Sequence, residues 1–283
     1  MQSPERNKSN NIVHYEQVYK GFAGKLIAKA DTPIRRDVLF EKSKRHTLST
    51  RAFYHDDFQK ELSDKTVLDI GAGKGLNSVL MAHFGAEVNA QDIAPASAVL
   101  INELASKLNL PIQAEHGDLV AMPYKAHSFD LVVGKSILHH LTHEVERAYL
   151  SRMRELVRED GALRFVEPAH NMPFLRKCLL LIPQKGRPSI LNSKAYAAYK
   201  LSDPHPERSN SASHYKASFQ AFFDKVDVLP YGIEQTLLGC LPPFLRNKLT
   251  RKFVHVLAGS LPRFIHYKLA KVQLIIAKRP KSS

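Results

Sequence analysis

The chain has 283 residues, 44% of them hydrophobic, and its 41 basic and 27 acidic side chains give a formal net charge of +14. This length and apolar content fit one large domain with a buried core, which excludes a globally disordered chain. The two cysteines, Cys178 and Cys240, are far apart and outside any CxxC spacing, so we expect no disulfide framework, no metal site and a cytoplasmic location.

The N-terminal region carries helical signals but no targeting signal. The first eleven residues lack the apolar stretch of a signal peptide. No run in the chain approaches the roughly 18 to 20 apolar residues that span a bilayer. The predicted N-terminal segments are a loose tail over 1–10, a helix over 15–30 that ends at Thr32 and Pro33, and a second helix that Ser49 or Thr50 caps and that runs to Leu62.

From residue 66 the chain alternates between strand patterns and helix patterns. Short apolar runs predict buried parallel strands, and the helical runs between them predict βαβ units with helices on both faces of the sheet. Gly85 and Gly161 are expected to close two of the helices, and Thr142 to cap one. The predicted strands are 66–70, 87–91, 112–115, 129–133 and 162–166, and the predicted helices are 74–84, 95–108 and 143–157.

The alternation breaks after residue 172, where prolines interrupt short helical pieces. Ser211 or Ser213 is expected to cap a helix that runs through Phe223, and two more strands are predicted over 226–229 and 271–277. The fold class is therefore α/β, a doubly wound sheet of seven mostly parallel strands. The predicted organisation is an N-terminal tail and helices (1–62), a core (63–172), a proline-rich insertion and helix (173–225), and the last two strands with a basic insertion at 235–269 (226–283).

The positive charge is concentrated towards the C-terminus. Residues 1–172 hold 22 basic and 22 acidic side chains, residues 173–229 hold nine and four, and residues 230–283 hold ten and one. Such asymmetry favours an anionic partner surface, either nucleic acid or membrane. A solvated basic surface that aids solubility is the alternative.

A glycine-rich loop follows the first predicted strand, which contains Asp69. The loop reads Gly71-Ala72-Gly73-Lys74-Gly75. Glycines allow a tight turn and let backbone amides approach a ligand closely, and the following helix points its N-terminus at that ligand. Asp92 ends the second strand, where an acidic side chain accepts hydrogen bonds from ribose hydroxyls. The sequence therefore predicts a nucleoside-containing ligand at the carboxyl ends of these strands.

The spacing of the glycines separates two cofactor types. A dinucleotide fingerprint, G-x-G-x-x-G, would place its third glycine where Leu76 stands, which disfavours NAD. The loop instead resembles that of class I S-adenosylmethionine-dependent methyltransferases, in the small-molecule branch. The resemblance extends over five segments in order, namely 67–75, 92–93, 117–119, 129–133 with 137–141, and 155–168.

This resemblance implies which residues would hold S-adenosylmethionine. Asp69 and the loop residues Gly71, Ala72, Gly73 and Gly75 would hold its amino acid end, Asp92 its ribose hydroxyls, Asp118 its adenine amino group, Ile93 and Leu119 the adenine ring, and Lys135 the methionine portion. The alternative is a retained fold with an empty pocket, but a bare scaffold has no need for acidic residues at these strand ends.

Four residues at strand ends are candidates for the catalytic step. A base is needed when the acceptor is a hydroxyl, because it must lose a proton. His139 and His140 follow the fourth strand, and Glu167 and His170 follow the fifth, so all four are expected to face the cofactor crevice. Structural roles are the alternative, since one of two adjacent histidines often packs or caps a helix.

The segment after the fourth strand also bears on the acceptor. Methyltransferases of adenine or glutamine nitrogen resemble one another in an Asn/Asp-Pro-Pro-aromatic motif there, whereas this chain reads Gly134-Lys135-Ser136-Ile137. The case for a nucleic-acid partner then rests on the positive charge of the chain alone, so nucleic acid is not expected as a partner. Segments 167–173 and 203–208 resemble a bacterial methyltransferase branch found with glycan or secondary-metabolite genes. We therefore expect methylation of an oxygen on a small molecule or lipid-linked glycan.

The insertion at 235–269 combines apolar and basic residues and contains no acidic residue. Basic amphipathic helices of this kind can lie in a membrane interface, which predicts peripheral membrane contact. The equally supported alternative is that the apolar face of this insertion covers the sheet or forms a lid over the acceptor. A second hypothesis of a different class is a basic membrane- or nucleic-acid-binding protein that uses its S-adenosylmethionine domain as a sensor or scaffold.

Overall fold

Seven strands form one sheet, in the order β3-β2-β1-β4-β5-β7-β6. The computed structural model describes residues 4–30, 47–183, 186–202, 205–206 and 208–281. β7 runs antiparallel to both of its neighbours, and the other neighbouring strands are parallel. The strands are β1 (Thr66–Ile70), β2 (Glu87–Asp92), β3 (Ile112–His116), β4 (Phe129–Lys135), β5 (Val157–Pro168), β6 (Phe223–Tyr231) and β7 (Val272–Pro280). The doubly wound, mostly parallel sheet predicted from the sequence is confirmed.

Helices cover both faces of this sheet. Short 3-10 helices lie at His55–Glu61, Leu138–His140 and Pro243–Leu245. The α-helices are α1 (Pro4–Ala30), α2 (Leu48–Phe53), α3 (Leu76–His83), α4 (Pro95–Leu108), α5 (His143–Leu156), α6 (Pro173–Leu181), α7 (Ser193–Ser202), α8 (Ala212–Gln220), α9 (Ile233–Gly239), α10 (Lys248–Ser260) and α11 (Arg263–Leu269).

Alternate residues of the central strands supply the two halves of the core. Val67 of β1 packs with Phe53 and Phe58 on one face. Its neighbour Leu68 points to the other face, into a cluster that includes residues of α5 and α8. Because successive strand residues face opposite sides, a strand buried on both faces needs the continuous apolar run that the sequence shows.

The N-terminal helix begins earlier than the sequence predicted. Residues 4–10, expected to be a loose tail, form the first turns of α1. Every fourth residue along this helix turns towards the protein, because positions four apart lie on one helical face. Leu26 contributes to a cluster with residues of α4. The predicted end at Thr32 and Pro33 lies outside the described residues.

Three further predicted boundaries were wrong. The second helix is capped by Thr47 rather than by Ser49 or Thr50, and it ends at Phe53. A 3-10 helix over His55–Glu61 follows it, with positive φ angles at Asp56 and Asp57. Gly161 does not close a helix. It lies inside β5, which starts at Val157, and a Cβ there would stand 2.7 Å from the Asp130 carbonyl oxygen of β4.

The C-terminal boundaries were closer to prediction. Ser211 caps α8, as one of the two predicted alternatives, but the helix ends at Gln220 and β6 already begins at Phe223. The cap at Thr142 is also present, since its side chain accepts a hydrogen bond from the Val145 amide. No helix among the described residues is both long enough and apolar enough to cross a bilayer.

Candidate active site

A cavity of about 630 Å³ opens where the strand order reverses, beside β1 and β4. This is the usual place for a ligand in an open α/β sheet. Its floor comes from strand ends and the glycine loop, and α1 forms its roof. The lining residues that the sequence predicted are Asp69, Gly71, Ala72, Gly73, Asp92, Ile93, Asp118, Lys135 and His140, and those from α1 are Glu5, Asn7, Lys8, Asn11, Tyr15 and Tyr19.

The glycine loop depends on positions that favour glycine. Gly71 and Gly73 both have φ of +61°, a conformation that side chains with a Cβ rarely adopt. A Cβ at Gly71 would also stand 2.6 Å from Ile137 Cδ1. Gly75 does not line the cavity. It precedes α3 with φ of +71°, and a Cβ there would meet Ile101 at 2.5 Å. Gly75 therefore lets α3 approach α4 rather than contacting a ligand.

Asp92 connects the glycine loop to the end of β2. One carboxylate oxygen accepts from the Gly73 amide at 2.8 Å, and the other accepts from the Ala94 amide at 2.9 Å. Burial raises the pKa of Asp92, while these backbone hydrogen bonds oppose the rise. The carboxylate thus fixes the loop while it lines the cavity floor.

Asp69, which is buried, and Lys135, which is half-buried, both line the cavity and influence each other's charge. Burial raises the pKa of Asp69 to about 6, against a hydrogen bond from Ser78 Oγ at 2.7 Å and the nearby charge of Lys135. Burial likewise lowers the pKa of Lys135, whose Nζ donates to Thr50 Oγ1 at 3.3 Å. Both residues come from strand ends, so parallel pairing of β1 and β4 brings them together.

Asp118 faces α1 across the cavity. Its Oδ2 lies 2.8 Å from Lys8 Nζ, and its Oδ1 accepts from the Val120 amide at 3.2 Å. Partial burial raises the pKa of Asp118, but these two contacts outweigh burial and hold the pKa below its ordinary value. The neighbouring Leu119 is fully buried in the core and is not part of the cavity wall.

Two buried side-chain oxygens on the cavity wall have no partner among the described residues, Asn11 Oδ1 and Gln91 Oε1. Unsatisfied buried acceptors carry a free-energy penalty of about 1–3 kcal/mol each, which a ligand with its own N–H and O–H groups would relieve. A nucleoside joined to an amino acid has such groups at both ends. The acidic and amide side chains of the cavity therefore fit S-adenosylmethionine.

His140 is the predicted catalytic candidate that lines the cavity. The Tyr15 hydroxyl of α1 lies 3.2 Å from His140 Nε2. Burial, together with His139 and His205 nearby, lowers the pKa of His140 well below its ordinary value, so this imidazole is neutral at pH 7. A neutral imidazole beside a cavity can accept a proton or bind a metal ion.

Glu167 and His139 lie behind the cavity wall. The Glu167 side chain is fully buried and accepts hydrogen bonds from the backbone amides of residues 137, 138 and 139 at 2.8–3.3 Å. Its Oε2 also lies 2.7 Å from His139 Nδ1. Glu167 therefore orders the loop after β4, and its carboxylate has no access to a substrate in the cavity.

His170 does not line the cavity. Its backbone amide donates to the Asn210 carbonyl oxygen at 3.1 Å, and its Nδ1 lies 3.3 Å from Asn210 Nδ2. These contacts attach the end of β5 to the segment before α8. A substrate contact, one of the two alternatives for His170, finds no support in this placement.

Sequence reasoning missed the residues that α1 and His205 contribute. Tyr15 and Tyr19 have helical spacing, which indicated a buried face but not a cavity beneath it. The His205 ring stacks on that of His139 with 5.0 Å between centroids and lies 4.2 Å from that of His140. No local motif connects His205 to residues some 65 positions earlier, so only the fold reveals the contact.

Comparison with known proteins supports the same domain. Residues 67–161 match the family described as methyltransferase domain. A ubiquinone biosynthesis O-methyltransferase of Cereibacter sphaeroides is 33% identical over 97 residues, which are 34% of this chain and 38% of that protein. The mitochondrial ubiquinone biosynthesis O-methyltransferase of Schizosaccharomyces pombe is 32% identical over 121 residues, 41% of this chain and 43% of that protein. The chain thus matches less than half the length of these relatives.

Solved structures share the fold at low sequence identity. A putative methyltransferase in complex with the Trm112 activator of Haloferax volcanii aligns with a TM-score of 0.52 and 13% identity, covering 87% of this chain and 96% of that one. A phosphoethanolamine N-methyltransferase of Haemonchus contortus, in complex with S-adenosylmethionine, aligns with a TM-score of 0.50 and 14% identity, covering 86% and 60%. The motif order, the cavity and the family match agree: residues 67–161 are similar to a methyltransferase domain, and the solved structures share its fold.

Proposed function

We propose that the whole chain is an S-adenosylmethionine-dependent methyltransferase that methylates an oxygen of a small molecule. One observation carries this proposal. Residues predicted to hold the cofactor and one residue predicted to act on the acceptor, His140, line a single cavity of about 630 Å³. Cofactor and acceptor groups on one cavity allow the two reactants to meet with water excluded.

In this proposal the floor of the cavity holds the cofactor. Asp92 accepts from the ribose hydroxyls, and Asp118 accepts from the adenine amino group once Lys8 gives way. The backbone around Gly71 and Gly73, with Asp69, holds the amino acid end. These assignments rest on the resemblance to the family and on the position of each residue at the cavity wall.

The acceptor lies on the side of Tyr15 and His140. S-adenosylmethionine supplies a methyl group on a sulfonium, so that a carbon–oxygen bond forms while the carbon–sulfur bond breaks and sulfur keeps the electron pair. The chain aligns the acceptor and removes its hydroxyl proton. His139, His140 and His205 form the histidine cluster next to this side, and we assign proton removal to that cluster.

Oxygen is favoured over nitrogen or carbon by the relatives. The matched proteins named above are O-methyltransferases of ubiquinone biosynthesis, with 33% identity over 97 residues and 32% over 121 residues. A lipid-linked or glycan acceptor is the narrower version of this proposal, supported by the resemblance of the segments 167–173 and 203–208. The alternative, a sensor or scaffold that binds S-adenosylmethionine without turnover, would leave the histidine cluster without a role.

Turnover separates the enzyme from the sensor. The full chain is incubated with methyl-labelled S-adenosylmethionine and cell extract, which is then separated into lipid, glycan and metabolite fractions. We expect label in a lipid or metabolite product, and mass spectrometry of that product identifies the methylated atom. The Asp92→Ala variant should give none, and Glu87→Ala, at the exposed opposite end of β2, should match the wild type. Binding of S-adenosylmethionine without any labelled product would reject the enzyme in favour of the sensor.

We further propose that α10 contacts an anionic membrane surface. Its buried face consists of Val254 and Ala258, whereas Leu249, Phe253 and Val256 are 77%, 66% and 71% exposed. Lys248, Arg251 and Lys252 on the same helix are exposed too. Within the described part of 235–269 no residue lines the cavity, so the lid over the acceptor finds no support.

Vesicle flotation tests this contact. Each basic residue near an anionic surface contributes roughly 1 kcal/mol, so replacing Lys248, Arg251 and Lys252 by alanine should weaken binding to phosphatidylglycerol vesicles by about 100-fold at low salt. A variant with Lys25, Lys60 and Lys65 replaced instead, all exposed elsewhere, is the matched control. Equal flotation of both variants would contradict the proposal, as would equal binding to neutral phosphatidylcholine vesicles.

A further inference from the structure

Three imidazoles converge beside the acceptor side of the cavity. Each of His139, His140 and His205 offers a ring nitrogen, and these nitrogens all lie within 4.8 Å of one another. Among the histidine, cysteine, aspartate and glutamate side chains of the described ranges, these three histidines have the spacing that a metal site needs. The three residues come from two distant segments, so the cluster exists only in the folded chain.

Glu167 orients one of the three rings. Its Oε2 lies 2.7 Å from His139 Nδ1, which leaves His139 Nε2 as the nitrogen available to a ligand. A histidine that donates its second ring N–H to a carboxylate is the usual arrangement around protein-bound metal ions, because it fixes the tautomer and raises the basicity of the binding nitrogen. Glu167 is itself held by three backbone amides, so this orientation is rigid.

We propose that His139, His140 and His205 bind one divalent transition-metal ion, with Zn²⁺ as an ion that suits three imidazole ligands. Three histidine ligands with one open position is the arrangement of catalytic zinc sites. Bonds of roughly 2.0–2.1 Å around a tetrahedral ion place ligand nitrogens about 3.4 Å apart. Each pair of ring nitrogens therefore needs to come closer by at most a little over about 1 Å. Rotation of the side chains provides this movement. This replaces the expectation of no metal site, which weighed cysteine spacing alone.

The surrounding charges permit a cation there. The Glu167 carboxyl group lies directly behind His139, with Oε2 2.7 Å from Nδ1. Arg208 lies close to the segment that carries His139 and His140, since it donates to the carbonyl oxygens of Leu138 and Leu141. Arg208 forms an ion pair with the buried carboxylate of Glu146, so its charge is balanced.

An ion in this cluster would serve the acceptor. His140 lines the cavity and contacts Tyr15, so an ion held by His140 would lie next to the acceptor side. With an ion bound, the histidine nitrogens would no longer accept the acceptor's proton. The ion would instead lower the pKa of the acceptor hydroxyl, and the proton would leave to solvent water. This role rests on the proposed function, whereas the binding of the ion does not.

Metal titration of the full chain tests the proposal. After removal of metal with a chelator and dialysis, Zn²⁺ is added in a calorimeter and Co²⁺ is followed by its visible absorption. We expect one ion per chain. The His205→Phe variant keeps the ring stacking but has no ligand nitrogen, and it should bind the ion at least about 100-fold more weakly. His83→Ala, on α3 and exposed, should bind like the wild type.

Two results would overturn the site. One is the absence of stoichiometric binding of either ion to the wild type. The other is equal binding by His205→Phe and the wild type, with matching thermal melting curves to show that both are folded. S-adenosylmethionine binding, measured on the same metal-free samples, is a separate readout. If S-adenosylmethionine did not bind, the proposed function would be rejected. The metal titration would still decide whether the histidine cluster binds an ion.

Discussion

The cofactor side and the acceptor side of the cavity are built differently. The cofactor side comes from consecutive units of the chain, β1 with its glycine loop, β2, β3 and β4, and each contributes a residue at or just after its carboxyl end. The acceptor side comes from segments far apart in sequence, α1 and the loop after β4, and the end of β5 and His205 pack behind that loop. Both meet in one cavity of about 630 Å³.

This difference explains why the two sides respond differently to substitution. A carboxylate on the cofactor side is fixed by backbone amides of its own βαβ unit, as Asp92 is by Gly73 and Ala94. On the acceptor side, side chains hold one another across long sequence separations, as Tyr15 and His140 do. We therefore expect cofactor binding and acceptor turnover to be separable by single substitutions.

The largest effect is expected at Asp92. Replacement by alanine removes the proposed ribose contact and the acceptor for the Gly73 amide, so the affinity for S-adenosylmethionine should fall by about 100-fold or more, since charge-assisted hydrogen bonds contribute about 1.5–3 kcal/mol each. Titration calorimetry measures the affinity of both proteins for S-adenosylmethionine. Glu87→Ala on the same strand is the control, and an unchanged affinity in Asp92→Ala would place the cofactor elsewhere.

Asp69→Asn should separate stability from function. The raised pKa of Asp69, about 6 in the folded chain against roughly 3.9 when unfolded, means that its ionised form destabilises the fold above pH 6. That penalty disappears as the pH falls towards 4. The variant should therefore be about 1–3 kcal/mol more stable than the wild type at pH 8, with the difference vanishing near pH 4, while S-adenosylmethionine affinity falls.

Urea unfolding at several pH values measures the free energy of unfolding of both proteins. Asp64→Asn, in an exposed turn, is the matched control and should run parallel to the wild type. The opposite result would be an Asp69→Asn variant that loses stability relative to the wild type between pH 4 and pH 8. It would show that the charge of Lys135 stabilises the Asp69 carboxylate by more than burial destabilises it.

Tyr15→Phe should act on the acceptor side alone. It removes the hydroxyl that lies 3.2 Å from His140 Nε2, a contact worth about 1 kcal/mol, so kcat/KM for the acceptor should fall by about 5- to 10-fold. The dissociation constant of S-adenosylmethionine should change less than twofold. Val13→Ala, on the exposed face of the same helix, controls for helix packing, and equal losses of turnover and cofactor affinity would undo the separation of the two sides.

The smallest expected effect is at Lys8. Its Nζ lies 2.8 Å from Asp118 Oδ2, the oxygen that we assign to the adenine amino group. Exposed ion pairs contribute about 0–1 kcal/mol, so Lys8→Ala should tighten S-adenosylmethionine binding by about two- to fivefold. Lys20→Ala, on the same helix and paired with Glu16, should leave the affinity unchanged. Weaker binding in Lys8→Ala would mean that Lys8 holds the cofactor instead of competing with it.

The sequence was informative where structure is local. All seven strands were predicted from apolar runs and turn residues, but their order in the sheet and the antiparallel direction of β7 were not. The predicted cofactor residues fall on the cavity wall except Gly75 and Leu119. The acceptor side was less predictable. Glu167 and His170 stand at strand ends as expected, yet long-range hydrogen bonds turn them away from the cavity. The roof formed by α1 and the position of His205 depend on packing between distant segments, which local periodicity does not encode.

A crystal structure of the full chain with S-adenosylmethionine tests the central claim most directly. The account predicts ribose hydroxyls on the Asp92 carboxylate, the adenine amino group on Asp118 with Lys8 displaced, and the methyl carbon directed towards the side of Tyr15 and His140. A cofactor bound in this cavity with its methyl group directed away from His140, or bound outside the cavity, would contradict it.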